Sequence, residues 1–482
     1  MSVYLGLDLG TTSVSAVAVN SRGEILQQAT RSHRADLTGQ PEDFAEQHPD
    51  RLLATARECL REITQGIGGE IHSLGLTGQM HGMLLLDSRH LPLTPLLTWR
   101  DRRCLRSSRP GGPSFLEELQ ARLAAETSER LGCRLRPGYA AATFDVLRQT
   151  GQLPTGPFFL SDITGFVSTV LTRQPPRIDP TFAASWGLYD LQRGTYCEDV
   201  PRAAGIPMHS LPELVLPGTI VGTVPADIAR GWGLPAEVPV CVGLGDNQAA
   251  VLGAVQHSER ELLINIGTGG QVAWSHPTHR RTAEIEIRPF PGERFLHVGA
   301  GQAGGDAYAW LIRHVHGWLE TFGLTPSEEE LYERIEAARR VVLADLSHAP
   351  PICEPFFRGT RAEPERRGLF REVGPENFTL GHLAYSVTAG IVESLCSLYD
   401  RAEHRLENLE RVIVAGNFFR HHRWTAELIA RRWGVPVVTP THQEQAACGV
   451  AFLAGKSVAG TRGEEPCAAC WTYETLAESA DS

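Results

Sequence analysis

One short pattern occurs twice in this 482-residue chain, and it limits the possible folds more than any other feature. Near the start, Tyr4 to Leu9 reads as a strand, Gly10-Thr11-Thr12 as a turn, and Ser13 to Val19 as a strand again. Far downstream, Leu262 to Ile266 is strand-like, Gly267-Thr268-Gly269-Gly270 is a turn, and Gln271 to Trp274 restarts a strand. Asp8 to Ser13 overlays Asn265 to Gly270, weakly in letters and closely in form. The first pair is rich in Val, Leu and Ala with small residues interleaved, which suits a hairpin buried on both faces. A repeat at this separation calls for two related halves, and the length exceeds what one hydrophobic core usually supports. The boundaries then read as a first domain over 1–250, a second over 251–457, and a small, polar, acidic tail over 458–482.

The segments between the turns fill in the layers. Pro49 to Gln65 predicts a helix with Leu52, Leu53, Ala56, Leu60 and Ile63 along one side. Ile71 to Thr77 is a short strand leading into Gly78-Gln79-Met80-His81-Gly82, and Pro239 to Gly243 is another buried strand. Later, a strand over Val412 to Ala415 is followed by a helix bearing Trp424, Leu428 and Ile429, then a strand over Val435 to Val438. Strands alternating with helices in this way predict an α/β layer fold.

Composition narrows the class of function. Hydrophobic residues at 42% and charged residues at 21% are those of a globular protein. A formal net charge of -11 argues against a nucleic-acid or anionic-membrane partner. No apolar run is long enough to span a bilayer, and the N-terminus enters its first strand without a charged leader. The ten cysteines are dispersed, as expected of reduced thiols in a cytoplasm. Cys467 and Cys470 form the one local pair, without two further ligands for zinc or a redox context.

The turns point to phosphate. Glycine lets the main chain approach a phosphate closely, so several N–H donors can converge on its oxygens. Thr11, Thr12, Ser13 and Thr268 add hydroxyls at the same places. Asp8 stands near the end of an apolar strand, where a carboxylate is unfavourable unless paired. A Mg²⁺ ion bridging ATP phosphates would pair it; a turn-capping Asp is the alternative. Asp246 follows a buried strand at a glycine and opens a small-residue helix. Locally it reads as a helix cap. The adjoining Asn247 and Gln248 and the close glycines favour instead a base that takes a hydroxyl proton during phosphoryl transfer. Gly449 to Ser457 imitates a P-loop, but five residues separate its glycines where four are needed, so it is given no phosphate role.

Taken in order, these segments resemble the FGGY carbohydrate kinases of the actin-like ATPase superfamily, from Leu5 to about Ala454. Asp8 to Ser13 is similar to that family's first phosphate loop, Gly267 to Gly269 to its second, and Gly245 to Ala249 to its catalytic-Asp motif. The resemblance implies two actin-like, ribonuclease H-like domains with a cleft between them. It implies ATP and Mg²⁺ as cofactors, with phosphate contacts from Gly10, Thr11, Thr12, Ser13, Gly267, Thr268 and Gly269. Adenosine would be held by Gly416, Asn417 and Arg420, and by a segment from Glu444 to Ala451. Asp246 would be the catalytic base, with Asp8 and Asp246 at the metal.

The sugar side rests on the same resemblance. Thr77 to Gly82 is similar to the pentulose and heptulose kinase motif, and Trp99 to Arg103 to the Trp-x-Asp-x-Arg segment. Together they imply substrate contacts from Gln79, Met80, His81, Trp99, Asp101, Asp246 and Asn247. A tryptophan face against sugar C–H groups is sound carbohydrate chemistry. Thr98 to Cys104, Ala183 to Tyr189 and Leu211 to Gly218 resemble the sedoheptulose-phosphorylating branch most, with xylulose kinases next. The partners implied are a small ketose and ATP, with a monomer or homodimer as the assembly. One departure stands at Asn417, where a second glycine is usual; asparagine tolerates a left-handed backbone. A non-catalytic nucleotide-binding protein of the same superfamily is the rival, and it would need none of the sugar-side residues.

Overall fold

The structure is a computed structural model that describes residues 1–282, 284–360, 363, 365–459 and 471–479. Cys467 and Cys470 lie outside the described residues. In the first half, β1 (Ser2–Leu9), β2 (Ser13–Asn20) and β3 (Ile25–Ser32) form an antiparallel meander. On the other side of β1, β4 (Glu70–Gly78) runs parallel to it. The edge is completed by β5 (Ile220–Thr223) and β6 (Pro239–Cys241), with β6 parallel to β4. A two-residue strand, β7 (Leu244–Gly245), lies beside the end of β4. Val3, Leu5, Leu7 and Leu9 are fully buried, and so is Tyr4 on the opposite face. Both faces of β1 are therefore covered, as its apolar composition requires.

The second half repeats the plan. Its sheet contains β8 (Glu261–Ile266), β9 (Gly269–His276), β10 (Glu286–Phe290), β11 (Arg294–Ala303), β12 (Arg411–Ala415), β13 (Val437–Pro440) and β14 (Tyr473–Ala477). Here β8, β9 and β11 form the meander, while β12 and β13 continue in parallel from β8. The repeat is thus a repeat of topology. The registers differ by one residue: Leu9 faces Val14 across the first turn, whereas Ile266 faces Gly270 across the second. The second loop is tighter by that residue.

Three helices matter for the site. α1 (Pro49–Thr64) starts on a proline at its first turn and buries Leu52, Ala56, Leu60 and Ile63. α2 (Asp246–Ala254) follows β7 directly. α3 (Gln445–Val458) comes from the second half yet lies across the first sheet and against α2. That crossing is possible only without side chains at the contact. A methyl group on Gly6 would fall 1.9 Å from the Ala447 carbonyl oxygen, and one on Gly449 would fall 2.0 Å from that of Ala249.

This arrangement corrects two expectations. The small residues between Glu444 and Ala451 serve backbone-to-backbone packing of α3, not an adenosine pocket. The stretch after residue 458 is also not wholly a loose tail. Tyr473–Ala477 is a strand hydrogen-bonded to β13, and the Trp471 ring is buried against Phe452 and His442. No described helix is long and apolar enough to cross a membrane. The eight described cysteines are unpaired and buried.

Candidate active site

The two carboxylates converge because of strand register. Asp8 and Leu244 both stand beside Thr77 of β4, one on each side, and Asp246 begins α2 two residues after Leu244. Both acids therefore sit at the carboxyl ends of the two strands that flank β4 in parallel, where α/β sheets place their ligands. Burial pushes the Asp8 carboxyl up to about 8, with Asp246 and Glu444 adding to the rise. Burial also lifts Asp246 to about 6, while the Asn247 N–H and the Arg288 guanidinium pull it back. A group poised there can exchange a proton near neutrality. The turn holding Asp246 is fixed from behind: Gly245 N–H donates to Thr181 Oγ1 at 2.8 Å, and Thr181 donates to Asp179 at 2.7 Å.

The first Gly-Thr turn is held by its carbonyls. Gln47 Nε2 donates to Thr11 O at 2.8 Å, and the Gln79 main-chain N–H donates to Leu9 O at 3.0 Å. The Gln79 side chain in turn donates to Gln47 Oε1 at 2.8 Å. With the carbonyls occupied, the Thr11 and Thr12 N–H groups have no partner among the described residues. Gln79 thus lies behind the turn, fully buried, and braces it rather than reaching into the cleft.

Met80 and His81, expected as sugar contacts, lead away from the same strand end. Met80 is buried against Gly245, next to the acid. His81 adopts φ +72, its Nδ1 lies 2.7 Å from Ser185 O, and its ring stacks on Tyr139 at 4.4 Å. A left-handed backbone at a histidine is an unusual conformation held in place by these contacts. Trp99 is 41% exposed, and its indole N–H donates to Thr11 Oγ1 at 3.0 Å. Asp101 is different. It pairs with Arg103 at 2.9 Å and accepts from the Ala45 N–H, and it is 1% exposed. Expected as a sugar contact, it instead shapes the loop that presents Trp99. Asn247 accepts from Gln271 of β9 at 3.1 Å, a bond that joins the halves across the cleft.

The second turn opens a cavity of about 590 Å³. Gly267 and Thr268 form one wall, and Asp306, Tyr308, Asn417 and Phe418 contribute others. The turn is pinned like the first, with Gly267 O accepting from Gly305 N–H and Thr268 O from Asp306 N–H. Gly416 carries the demanding backbone: φ is +96, and an added methyl group would lie 2.2 Å from Ile266 O. Asn417 is the first residue of a short helix, Asn417–His421, and needs no left-handed conformation. The departure from two glycines is therefore accommodated without strain. Arg420 is exposed and does not line the cavity; Arg313, Arg358 and His421 do. Those residues belong to no short motif, which is why the sequence alone did not single them out.

A divalent cation fits the acid pair. Asp8 Oδ1 is buried without a hydrogen-bond partner, and the neighbouring carboxylates of Asp246 and Glu444 repel it. Among the described residues no group of three or more His, Cys, Asp or Glu could hold a metal by itself. A site of one or two carboxylates completed by phosphates and water is the usual arrangement for Mg²⁺.

Comparisons with known proteins agree with this layout. A model of the FGGY family of carbohydrate kinases, N-terminal domain, matches residues 3–140 and 163–253, and the C-terminal domain model of that family matches 262–458. A human sedoheptulokinase is 25% identical over 90% of this chain and 94% of that protein. A xylulose kinase from Lactococcus lactis is 25% identical over 86% of this chain and 80% of that protein. Among solved structures, xylulose kinase from Rhodospirillum rubrum superposes with a TM-score of 0.84 at 22% identity, covering 99% of this chain and 95% of that one. The two halves thus share the actin-like, ribonuclease H-like fold of the sugar kinases.

Proposed function

We propose a specific reaction for this chain, which belongs to the FGGY family of carbohydrate kinases: transfer of the γ-phosphoryl group of ATP to the C7 hydroxyl of sedoheptulose. The observation that carries it is the convergence of Asp8 and Asp246 at strand ends on either side of Thr77, beside the first Gly-Thr turn and the Trp99 face. Asp246 takes the proton of the hydroxyl as the sugar oxygen forms its bond to the γ-phosphorus. The bond from that phosphorus to the β–γ bridging oxygen breaks, and ADP leaves with both electrons. Gly10 to Ser13 and Gly267 to Gly269 donate N–H and hydroxyl groups to the phosphates, and the cavity beside Gly416 and Asn417 takes the nucleoside. Asp8, with Asp246 beside it, holds Mg²⁺, which when bound neutralises phosphate charge.

Met80 and His81 line the sugar side and Trp99 offers its face to the sugar C–H groups. The choice of heptulose draws on the near full-length match to sedoheptulokinase and on three short segments similar to that branch. ADP release should be measured over sedoheptulose, xylulose, ribulose, gluconate and glycerol. The highest kcat/KM with sedoheptulose supports the assignment, whereas a higher value with D-xylulose makes the enzyme a xylulokinase. Release that no sugar stimulates would overturn both.

A further inference from the structure

We infer that Arg288, from the second half, is a specificity-determining residue that donates hydrogen bonds to the sugar, and that Glu286 tunes the pocket for a neutral sugar. The inference rests on the proposed ketose kinase reading and extends it to a residue outside every family motif noted above. β10 is the outer strand of the second sheet, yet its main chain is docked onto the first half on both sides of Arg288. Ile287 N–H donates to Gly132 O at 3.0 Å, and Pro289 O accepts from Gln248 Nε2 at 3.2 Å. Gly132 leads into the segment that carries Cys133 and Tyr139, and Gln248 is two residues beyond Asp246. Arg288 is therefore held between the ring stacked on His81 and the helix that begins with the base.

Strand alternation sets its direction. Ile285 and Ile287 are buried in the core, so Glu286 and Arg288 share the other face of β10. Arg288 Nη2 donates to Glu286 Oε2 at 2.8 Å, and Arg136 Nε approaches Glu286 Oε1 at 3.4 Å. No other hydrogen bond is made by the Arg288 guanidinium among the described residues, which leaves its remaining N–H groups for a ligand. Its side chain is only 12% exposed. A guanidinium so placed favours oxygen acceptors, and the fork suits two of them on one sugar.

The charges decide what kind of sugar. Glu286 lies against both guanidinium groups, 2.8 Å from Arg288 Nη2 and 3.4 Å from Arg136 Nε. A polyhydroxylated ketose needs no counter-charge there, whereas an aldonate would bring a second carboxylate to guanidinium groups that Glu286 already occupies. Removing the Glu286 charge would leave a cationic pocket suited to a carboxylate.

The experiment measures sugar and ATP dependence of ADP release for wild type, Arg288→Gln, Arg288→Lys and Glu286→Gln, with thermal melting as a check on folding. Arg288→Gln should raise the ketose KM roughly 10- to 100-fold, the value of a charged hydrogen bond, while the ATP KM changes little. Arg288→Lys retains the charge and the Glu286 partner, so its ketose KM should lie between the two. Glu286→Gln should raise the kcat/KM ratio of gluconate to ketose about tenfold. A folded Arg288→Gln with the wild-type ketose KM, beside an active wild type, overturns the inference and leaves the kinase assignment standing. A wild type that prefers gluconate to every ketose overturns the inference together with the ketose reading on which it rests.

Discussion

The indole N–H of Trp99 donates to the Thr11 hydroxyl at 3.0 Å, so the exposed aromatic face is anchored on the first Gly-Thr turn. On the proposed reading, this side-chain hydrogen bond couples the sugar side to the nucleotide side. Trp99→Phe keeps a smaller aromatic face and removes the donor. A neutral hydrogen bond contributes about 1 kcal/mol, so kcat/KM should fall roughly fivefold. Because the bond ends on the turn, the loss should appear in the ATP KM as well as in the sugar KM. A change confined to the sugar would mean that the bond only orients the ring.

Asp246 gives the sharpest test of chemistry. Asp246→Asn preserves size and the start of α2, so melting should stay close to wild type. Loss of a general base lowers turnover by about 10²- to 10⁴-fold, and near wild-type turnover would remove Asp246 from that role. The pH profile has a definite sign. A base acts when deprotonated, and burial raises this carboxyl to about 6. In the wild type kcat/KM should therefore carry a limb below about 6 on which it declines about tenfold for each unit of pH. The residual activity of Asp246→Asn should lack that limb.

Much of this site was legible in the sequence because it is built from local turns. A glycine and a threonine between two apolar strands announce a loop whose donors can converge, and the second copy announces a second domain. Asp8 and Asp246 were equally legible, since one lies near the end of an apolar strand and the other directly follows one. What was not legible depends on partners far apart in the chain. Asp101 looks like a sugar contact until Arg103 and the Ala45 N–H are seen to occupy both of its oxygens. Gln79 lies in the sugar-side motif, yet its side chain goes to Gln47 behind the turn. The small residues of α3 fit a nucleotide pocket or a helix crossing equally well, and only Gly6 and Ala249 show that packing uses them. Arg288 has no motif at all. Its clue is alternation: a charged face of Glu286 and Arg288 beside a buried one of Ile285 and Ile287.

The α3 crossing should be intolerant of any side chain. Gly449 approaches the Ala249 carbonyl so closely that a methyl group would lie 2.0 Å from its oxygen. Both partners are main chain, so rotamer change cannot relieve the clash. Gly449→Ala should destabilise the protein by about 1–3 kcal/mol through forced separation of α2 and α3. Denaturant unfolding measures this directly, with a lower midpoint expected. Since α2 begins at Asp246, turnover should also drop at temperatures where the variant is fully folded. Unchanged stability would show that the helices can slide apart freely.

Gly416 separates nucleotide from sugar recognition. Its φ of +96 is disfavoured for any residue with a Cβ, and the added methyl group would lie 2.2 Å from Ile266 O, on the strand that leads into the second turn. Gly416→Ala must therefore displace either the Asn417–His421 helix or Gly267, and both flank the same cavity. The expected result is weaker binding of ADP and ATP by about tenfold or more, from a backbone strain of 1–3 kcal/mol. Sugar binding, which on the proposed reading rests on the first half and β10, should change by less than about twofold. Titration calorimetry with ADP and with the ketose, each alone, measures the two affinities separately. Equal losses for both ligands would mean that the strain spreads through α2 to the sugar pocket, and an unchanged ADP affinity would place the nucleoside somewhere other than this cavity.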